Sequence, residues 1–340
     1  MKLLVTGGCG FIGSNFIRVV LAERPDWDIV NLDALTYAGN LTTTLDFQTH
    51  PRYRFAYGSI TDREIVDRLV QDADAVVHFA AETHVDRSIN DIEPFIMTNI
   101  VGTSRLVDAC RKYDKRFHHV STDEVFGSLG PMDAKFNEAT PYRPLNPYSA
   151  TKAAADHLVR AAIHTHQVRA TISNCTNNYG PYLYPEKFLS IGITNLLESQ
   201  PIVIHGDGSQ VRDWIHARDH ARGVLTILER GQIGETYMMG GEGELTILQT
   251  ARLLLQIMGL NDNMIQFVND RPGQDRRYAI DFSKIERELG WRPETSLENG
   301  LREMIAWYRS NPQWWKPIKQ SAGYGEWYHK QVERNGKTFV

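Results

Sequence analysis

Thr6-Gly7-Gly8-Cys9-Gly10-Phe11-Ile12-Gly13 stands between the apolar run Leu3-Leu4-Val5 and a helical pattern, Ile12 to Glu23, that Pro25 ends. Gly8, Gly10 and Gly13 have the spacing of a dinucleotide-binding turn that follows a strand and opens a helix. Glycines permit the tight turn and let backbone approach a pyrophosphate, whose charge meets the helix N-terminus. Alone, the glycine pattern reads equally well as a plain turn, and its surroundings decide. Ile29-Val30-Asn31-Leu32 is a second strand, and Asp33 follows it, 20 residues past Gly13. A carboxylate there binds ribose hydroxyls and repels a 2′-phosphate, which favours NAD over NADP.

Further strands are expected at Arg54-Phe55-Ala56, Ala75 to Phe79, Phe117 to Ser121 and Ala170 to Ser173, with helical spacing over Phe95 to Tyr113 and Tyr148 to His166. The alternation predicts an α/β fold, a Rossmann-type doubly wound parallel sheet. After Asn177 the pattern loosens at Pro181, Pro185 and Pro201, so residues 1–176 are read as the NAD-binding domain carrying the catalytic residues. Residues 177–340 are read as mainly a smaller substrate-binding lobe, with some chain returning to the first domain. A helix over Leu248 to Met258 and a capping box at Thr295-Ser296-Leu297-Glu298 are expected there, and Trp314, Trp315 and Trp327 are assigned to packing.

The 340 residues are 42% hydrophobic and 23% charged, with a net charge of −4, leaving no basic footprint for nucleic acid. No apolar run approaches the length of a membrane span, and with Met1 to Val5 running straight into the glycine turn no signal peptide is expected. Cys9, Cys110 and Cys175 are too scattered for a disulfide framework or zinc cluster, so a reduced, cytoplasmic setting is expected. His84 and Asp86 lack further ligands in register and read as structural, as do His164 and His166.

Two motifs carry chemistry. Tyr148 and Lys152 share one helix face after Pro147, so a phenol can act as base with an ammonium beside it to lower its pKa. Thr122-Asp123-Glu124 follows the fifth strand, at the edge where open α/β sheets bind ligands. In an extended strand the two carboxylates would face opposite ways, so a turn is expected at this point. Asp123 can donate a proton near neutrality only with a raised pKa.

On Thr6 to Gly13, His78-Phe79-Ala80-Ala81-Glu82-Thr83-His84-Val85-Asp86-Arg87-Ser88, Ser121 to Val125, Asn177-Asn178-Tyr179-Gly180-Pro181, Pro185-Glu186-Lys187 and Asp270 to Gly273, the chain resembles the extended short-chain dehydrogenase/reductases and, within them, the dTDP-glucose 4,6-dehydratases. The resemblance runs from Met1 to about Trp315. It implies a homodimer joined through helices, a nucleotide-sugar substrate, and a lyase in deoxysugar (for example rhamnose) biosynthesis. In the implied reaction Tyr148 takes the C4 hydroxyl proton beside Thr122, Glu124 removes the C5 proton and Asp123 protonates the departing C6 hydroxyl. NAD accepts the C4 hydride and returns it to C6, giving a 4-keto-6-deoxy sugar.

For the cofactor it points to Gly7, Gly10, Phe11, Ile12, Gly13, Asp33, Leu35, Thr36, Ser59, Ile60, Phe79, Ala80, Ala81, Thr83, Thr98, Tyr148, Lys152 and Asn178. For the substrate it points to Thr122, Asn177, Lys187, Phe188, Val203, His205, Arg212, Ile247, Arg271 and Gln274. A surface ion pair for Arg212 and a solvated tip for Lys187 are the structural alternatives. Ser59, Val203, His205, Ile247 and Gln274 depart from the usual dTDP-enzyme pattern, leaving UDP-glucose open as the carrier. A nucleotide-sugar 4-epimerase or a non-catalytic NAD-binding protein are the remaining readings.

Overall fold

The computed structural model describes residues 1–270, 275–321, 323–325 and 328. Its strands in chain order are β1 (Lys2–Thr6), β2 (Asp28–Asp33), β3 (Tyr53–Tyr57), β4 (Ala75–His78), β5 (Arg116–Thr122), β6 (Ala170–Cys175), β7 (Asn177–Tyr179), β8 (Ile202–His205), β9 (Val211–His216), β10 (Thr236–Met239), β11 (Glu244–Thr246) and β12 (Ile265–Val268). Seven form one sheet in the order β10-β6-β5-β4-β1-β2-β3, with every neighbouring pair parallel. This is the doubly wound arrangement expected. The order reverses beside β1, so the crevice beyond the carboxyl ends of β1 and β4 is its natural ligand site.

Strand alternation divides the apolar residues between two cores. Leu3, Val5 and Val77 pack with Phe16, Ile17 and Val20 of the helix Phe11–Glu23 and with Val224, Leu225 and Leu228 of Ala217–Arg230. Leu4, Val30 and Val76 face the opposite way, against Val66 and Val70 of Arg63–Asp72, Leu106 of Thr103–Lys112 and Val159 of Pro147–His166. Both faces are covered, which is why the central strands read as unbroken apolar runs.

The helical stretch expected from Phe95 to Tyr113 is divided. A short turn at Glu93–Phe95 leads into a π-helical segment, Ile96–Gly102, before the α-helix Thr103–Lys112. Asn99 in that segment is buried and pairs with both backbone groups of Glu82 at 2.9 and 3.0 Å, and with Thr151 Oγ1 at 2.9 Å. Such widened turns cluster at functional sites. The seventh strand, β10, and the helix Arg63–Asp72 were not expected.

A third core gathers Ile202, Ile204, Leu189, Ile193, Leu254, Leu301, Tyr308, Trp314 and Trp315 from the later chain. Two small sheets accompany it, β11-β9-β7 and β12-β8. The helix Ile247–Met258 matches expectation. The capping box does not: Ser296 caps the helix Leu297–Ser310 through Asn299 N–H at 3.4 Å, while Thr295 N–H donates to Asp219 and Glu298 is drawn to Arg302. Trp314 and Trp315 are buried as expected, and Trp327 lies outside the described residues.

Candidate active site

The turn after β1 depends on missing side chains. Gly7 has φ +76°, and a Cβ on it would lie 2.6 Å from Ala80 N; on Gly13 a Cβ would meet Gly7 O at 2.4 Å. These approaches admit only glycine. Gly10 begins the helix Phe11–Glu23 with no side-chain cap, so its first-turn N–H groups remain open to an anion. Asp33 ends β2, accepts from Cys9 N–H and Leu35 N–H at 2.8 Å each, and is buried. Burial pushes its carboxyl up, and the two N–H donors act against that. A pyrophosphate fits the cradle and a ribose diol fits Asp33.

From this turn a cleft of about 490 Å³ runs along the carboxyl edge of the sheet. Every residue assigned to the cofactor lines it except Leu35, whose backbone (φ +52°) serves Asp33 instead. Thr122, Asn177, Lys187, Phe188, Arg212 and Ile247 also line it. Val203 and His205 do not: on β8 their neighbours Ile202 and Ile204 enter the third core, and His205 Nδ1 faces Asn269 O at 3.3 Å. Arg271 and Gln274 lie outside the described residues.

The turn required after β5 is present. Asp123–Phe126 forms a single 3₁₀ turn; the Thr122 hydroxyl accepts from Glu124 N–H and donates to Asp123 Oδ1, both at 3.3 Å. Both carboxylates thereby line the cleft. Asp123 is 1% exposed, and burial first, then the Glu124 charge, raise its pKa to about 8. Burial also raises Glu124, whereas Lys187, the Asn146 side chain and Arg212 lower it.

Tyr148 and Lys152 sit in the first turns of Pro147–His166, which Asn146 caps with Pro147 in the first helical position. Both are buried and line the cleft. Their electrostatics differ from the sequence reading. Burial, followed by Glu124 and Cys175, holds the Tyr148 phenol well above its usual range, and the Thr122 hydrogen bond opposes this. Lys152 Nζ donates to Val120 O at 2.9 Å, and burial lowers the ammonium's own pKa.

Arg212 is neither an exposed ion pair nor loose. Its guanidinium lies 4.5 Å from the Tyr278 ring and donates to Val211 O and Asp275 O. Sequence reasoning missed Glu82, Tyr184 and Glu186, which also line the cleft. Tyr37 O–H donates to Glu186 Oε1 at 3.0 Å, and the Arg87 guanidinium covers the Tyr37 ring at 3.9 Å. The loop after Asp33 is thus tied to the segment bearing Lys187. Arg87 and Glu186 stand in the strings His78 to Ser88 and Pro185 to Lys187, from which Phe79, Ala80, Ala81, Thr83 and Lys187 were given roles. Among the described residues, no group of three or more His, Cys, Asp or Glu is arranged to hold a metal ion.

A family model described as GDP-mannose 4,6 dehydratase matches residues 4–304. The dTDP-glucose 4,6-dehydratase of Mycobacterium tuberculosis (strain CDC 1551 / Oshkosh) is 50% identical over 323 residues, covering 94% of this chain and 97% of that protein. Its counterpart from Mycolicibacterium smegmatis is 51% identical over 324 residues, with the same coverage. Among solved structures, DesIV, a dTDP-glucose 4,6-dehydratase from Streptomyces venezuelae crystallised with NAD, superposes with a TM-score of 0.91 at 44% identity, covering 94% of this chain and 100% of that one.

Proposed function

The chain belongs to the GDP-mannose 4,6 dehydratase family, among its dTDP-glucose 4,6-dehydratases, and from that membership and the cleft we propose that it is an NAD-dependent hydro-lyase converting dTDP-glucose to dTDP-4-keto-6-deoxyglucose. The observation that carries this reading is the buried Asp123, with a pKa of about 8, beside Glu124 in the same cleft as Tyr148 and Lys152. A 4-epimerase uses a Tyr-Lys pair but has no work for a neutral acid next to a second carboxylate.

Gly7, Gly10, Gly13 and Asp33 would hold NAD, which would supply a hydride acceptor for C4 and a hydride donor for C6. The residues of the chain move the protons. Tyr148 removes the proton of the C4 hydroxyl, which Thr122 holds. With a ketone at C4 the C5 hydrogen is acidic, and Glu124 takes it. Asp123 delivers its proton to the C6 hydroxyl, which leaves as water. Lys152 orients the nicotinamide ribose, and Arg212 meets the diphosphate with its planar fork. Asn177, Lys187 and Phe188 complete the substrate side.

The functional unit is a homodimer. Ile96, Met97 and Leu158 are 37–40% exposed on Ile96–Gly102 and Pro147–His166, an apolar face that a second copy would cover. The two-lobe division at residues 176 and 177 and a cytoplasmic location complete the reading; the buried free thiols Cys9, Cys110 and Cys175 support the location.

Purified protein given dTDP-glucose or UDP-glucose separately, with products identified by NMR, tests it. A 4-keto-6-deoxy product from dTDP-glucose is expected. A nucleotide-galactose product would overturn the dehydratase reading, and turnover of UDP-glucose alone would move the carrier. Glu124→Gln should permit reduction of bound NAD yet block elimination.

A further inference from the structure

Asn146 stands at the junction of the two chemical motifs without lining the cleft. Its backbone is extended (φ −136°, ψ 164°), and its Oδ1 accepts from Ser149 N–H at 2.8 Å as the cap of Pro147–His166. Asn146 N–H donates in return to Ser149 Oγ at 3.2 Å. The cap fixes more than the helix. A side-chain amide is planar, so an oxygen committed to Ser149 N–H directs Nδ2 to the other side, where it donates to Glu124 Oε2 at 3.3 Å. The reversed amide would set NH₂ against N–H and oxygen against carboxylate, so the orientation is determined.

We propose that Asn146 is a positioning residue for elimination: through one amide it holds the Glu124 carboxylate ionised and aimed while capping the helix that carries Tyr148 and Lys152. This rests on the reading of Glu124 as the C5 base. Lys187 and Arg212 also favour the Glu124 carboxylate, and burial and Asp275 disfavour it; Asp123, Tyr148 and Tyr278 are the other titratable groups that feel its charge. Lys187 and Arg212 are the cations assigned to the anionic substrate, whose phosphates share their charge in the complex. Asn146 is neutral and lies outside the cleft, so substrate leaves its contribution in place.

Serine caps helices as well as asparagine does but is too short to reach Glu124. Asn146→Ser therefore removes the Glu124 bond and keeps the cap, and Asn146→Asp keeps the cap and sets a like charge against Glu124. A donor to a carboxylate favours its charged form, so losing it raises the Glu124 pKa. The acid limb of kcat against pH with dTDP-glucose should move up by about one pH unit in Asn146→Ser and further in Asn146→Asp. In Asn146→Ser the Tm should fall by only the few degrees that a Glu124 pKa raised by one unit entails, and NAD should still be reduced on substrate binding. If that variant loses more thermal stability than this, Asn146→Asp carries the test through the same limb. An unmoved limb in both variants, with elimination lost in Glu124→Gln, would overturn the proposal and leave Glu124 as the base. Retained elimination in Glu124→Gln would remove the base itself and the proposal with it.

Discussion

Replacing Asp123 by asparagine should make the protein more stable and much less active, and the stability gain should depend on pH. The Asp123 pKa rises from an ordinary 3.8 to about 8 because folding buries the carboxyl beside Glu124. At pH 7 about nine molecules in ten therefore carry the proton that the proposed elimination requires; at the ordinary value fewer than about one in a thousand would. The same displacement opposes folding. The native state holds the proton more tightly than the unfolded chain, so this group's stability contribution is full below pH 3.8 and is lost as pH rises through about 8. Each pH unit between the two values is worth about 1.4 kcal/mol, giving a cost of roughly 4 kcal/mol at pH 7 and roughly 6 well above pH 8.

Asparagine has the same shape and no charge to bury. Thr122 Oγ1 to Asp123 Oδ1, at 3.3 Å, is a long bond whose disturbance costs about 1 kcal/mol. Asp123→Asn should thus gain a few kcal/mol at pH 9, somewhat less at pH 7, and close to nothing at pH 4. Urea unfolding of both proteins at these pH values measures the difference. Elimination should fall by a factor of about a hundred or more, and the basic limb of the wild-type kcat profile should lie near 8, where the stability difference levels off. A gain that is absent or independent of pH would refute the reasoning, because it would mean that Asp123 is ionised in the native protein at neutrality.

Tyr37→Phe removes the O–H that joins the loop after Asp33 to Glu186. Because the acceptor is a buried carboxylate, bound NAD should dissociate about tenfold faster, read by cofactor loss on gel filtration, with kcat at saturating NAD retained. Met97→Glu places a charge on the exposed apolar face of Ile96–Gly102. Sedimentation should then show the proposed dimer shifted to monomer.

The central strands were legible because a parallel strand covered on both faces is a short apolar run bounded by turns, as Leu3-Leu4-Val5 and Ala75 to His78 are. β10 was not. Its Thr236-Tyr237-Met238-Met239 reaches the sheet only after the chain has passed through β7, β8 and β9, and nothing local names β6 as its parallel partner. Arg63–Asp72 did carry its signal: Asp62 caps it, and Val66, Leu69 and Val70 form its buried stripe. At the site, the turn after Thr122 could be deduced, since period-two alternation keeps adjacent carboxylates apart unless the strand ends. Tyr37 and Glu186 meet across 149 positions, and no spacing rule links residues that distant.

Tyr148 and Lys152 mark a different limit. Four-residue spacing places them on one helix face, but it does not say where the ammonium goes, and Val120 O takes it. Burial then acts on each group in the same sense, against charge: the phenol and both carboxyls are raised and the ammonium is lowered. One consequence is that the two halves of the reaction are prepared differently. Asp123 already holds its proton in the protein alone. Burial holds the Tyr148 phenol well above its usual range, and a positive charge nearby, such as the nicotinamide ring's, would add to the Thr122 hydrogen bond in favouring the phenolate. In the proposed reaction the acid for elimination is therefore prepared by burial within the fold, whereas the base for oxidation would draw on the charge of the cofactor.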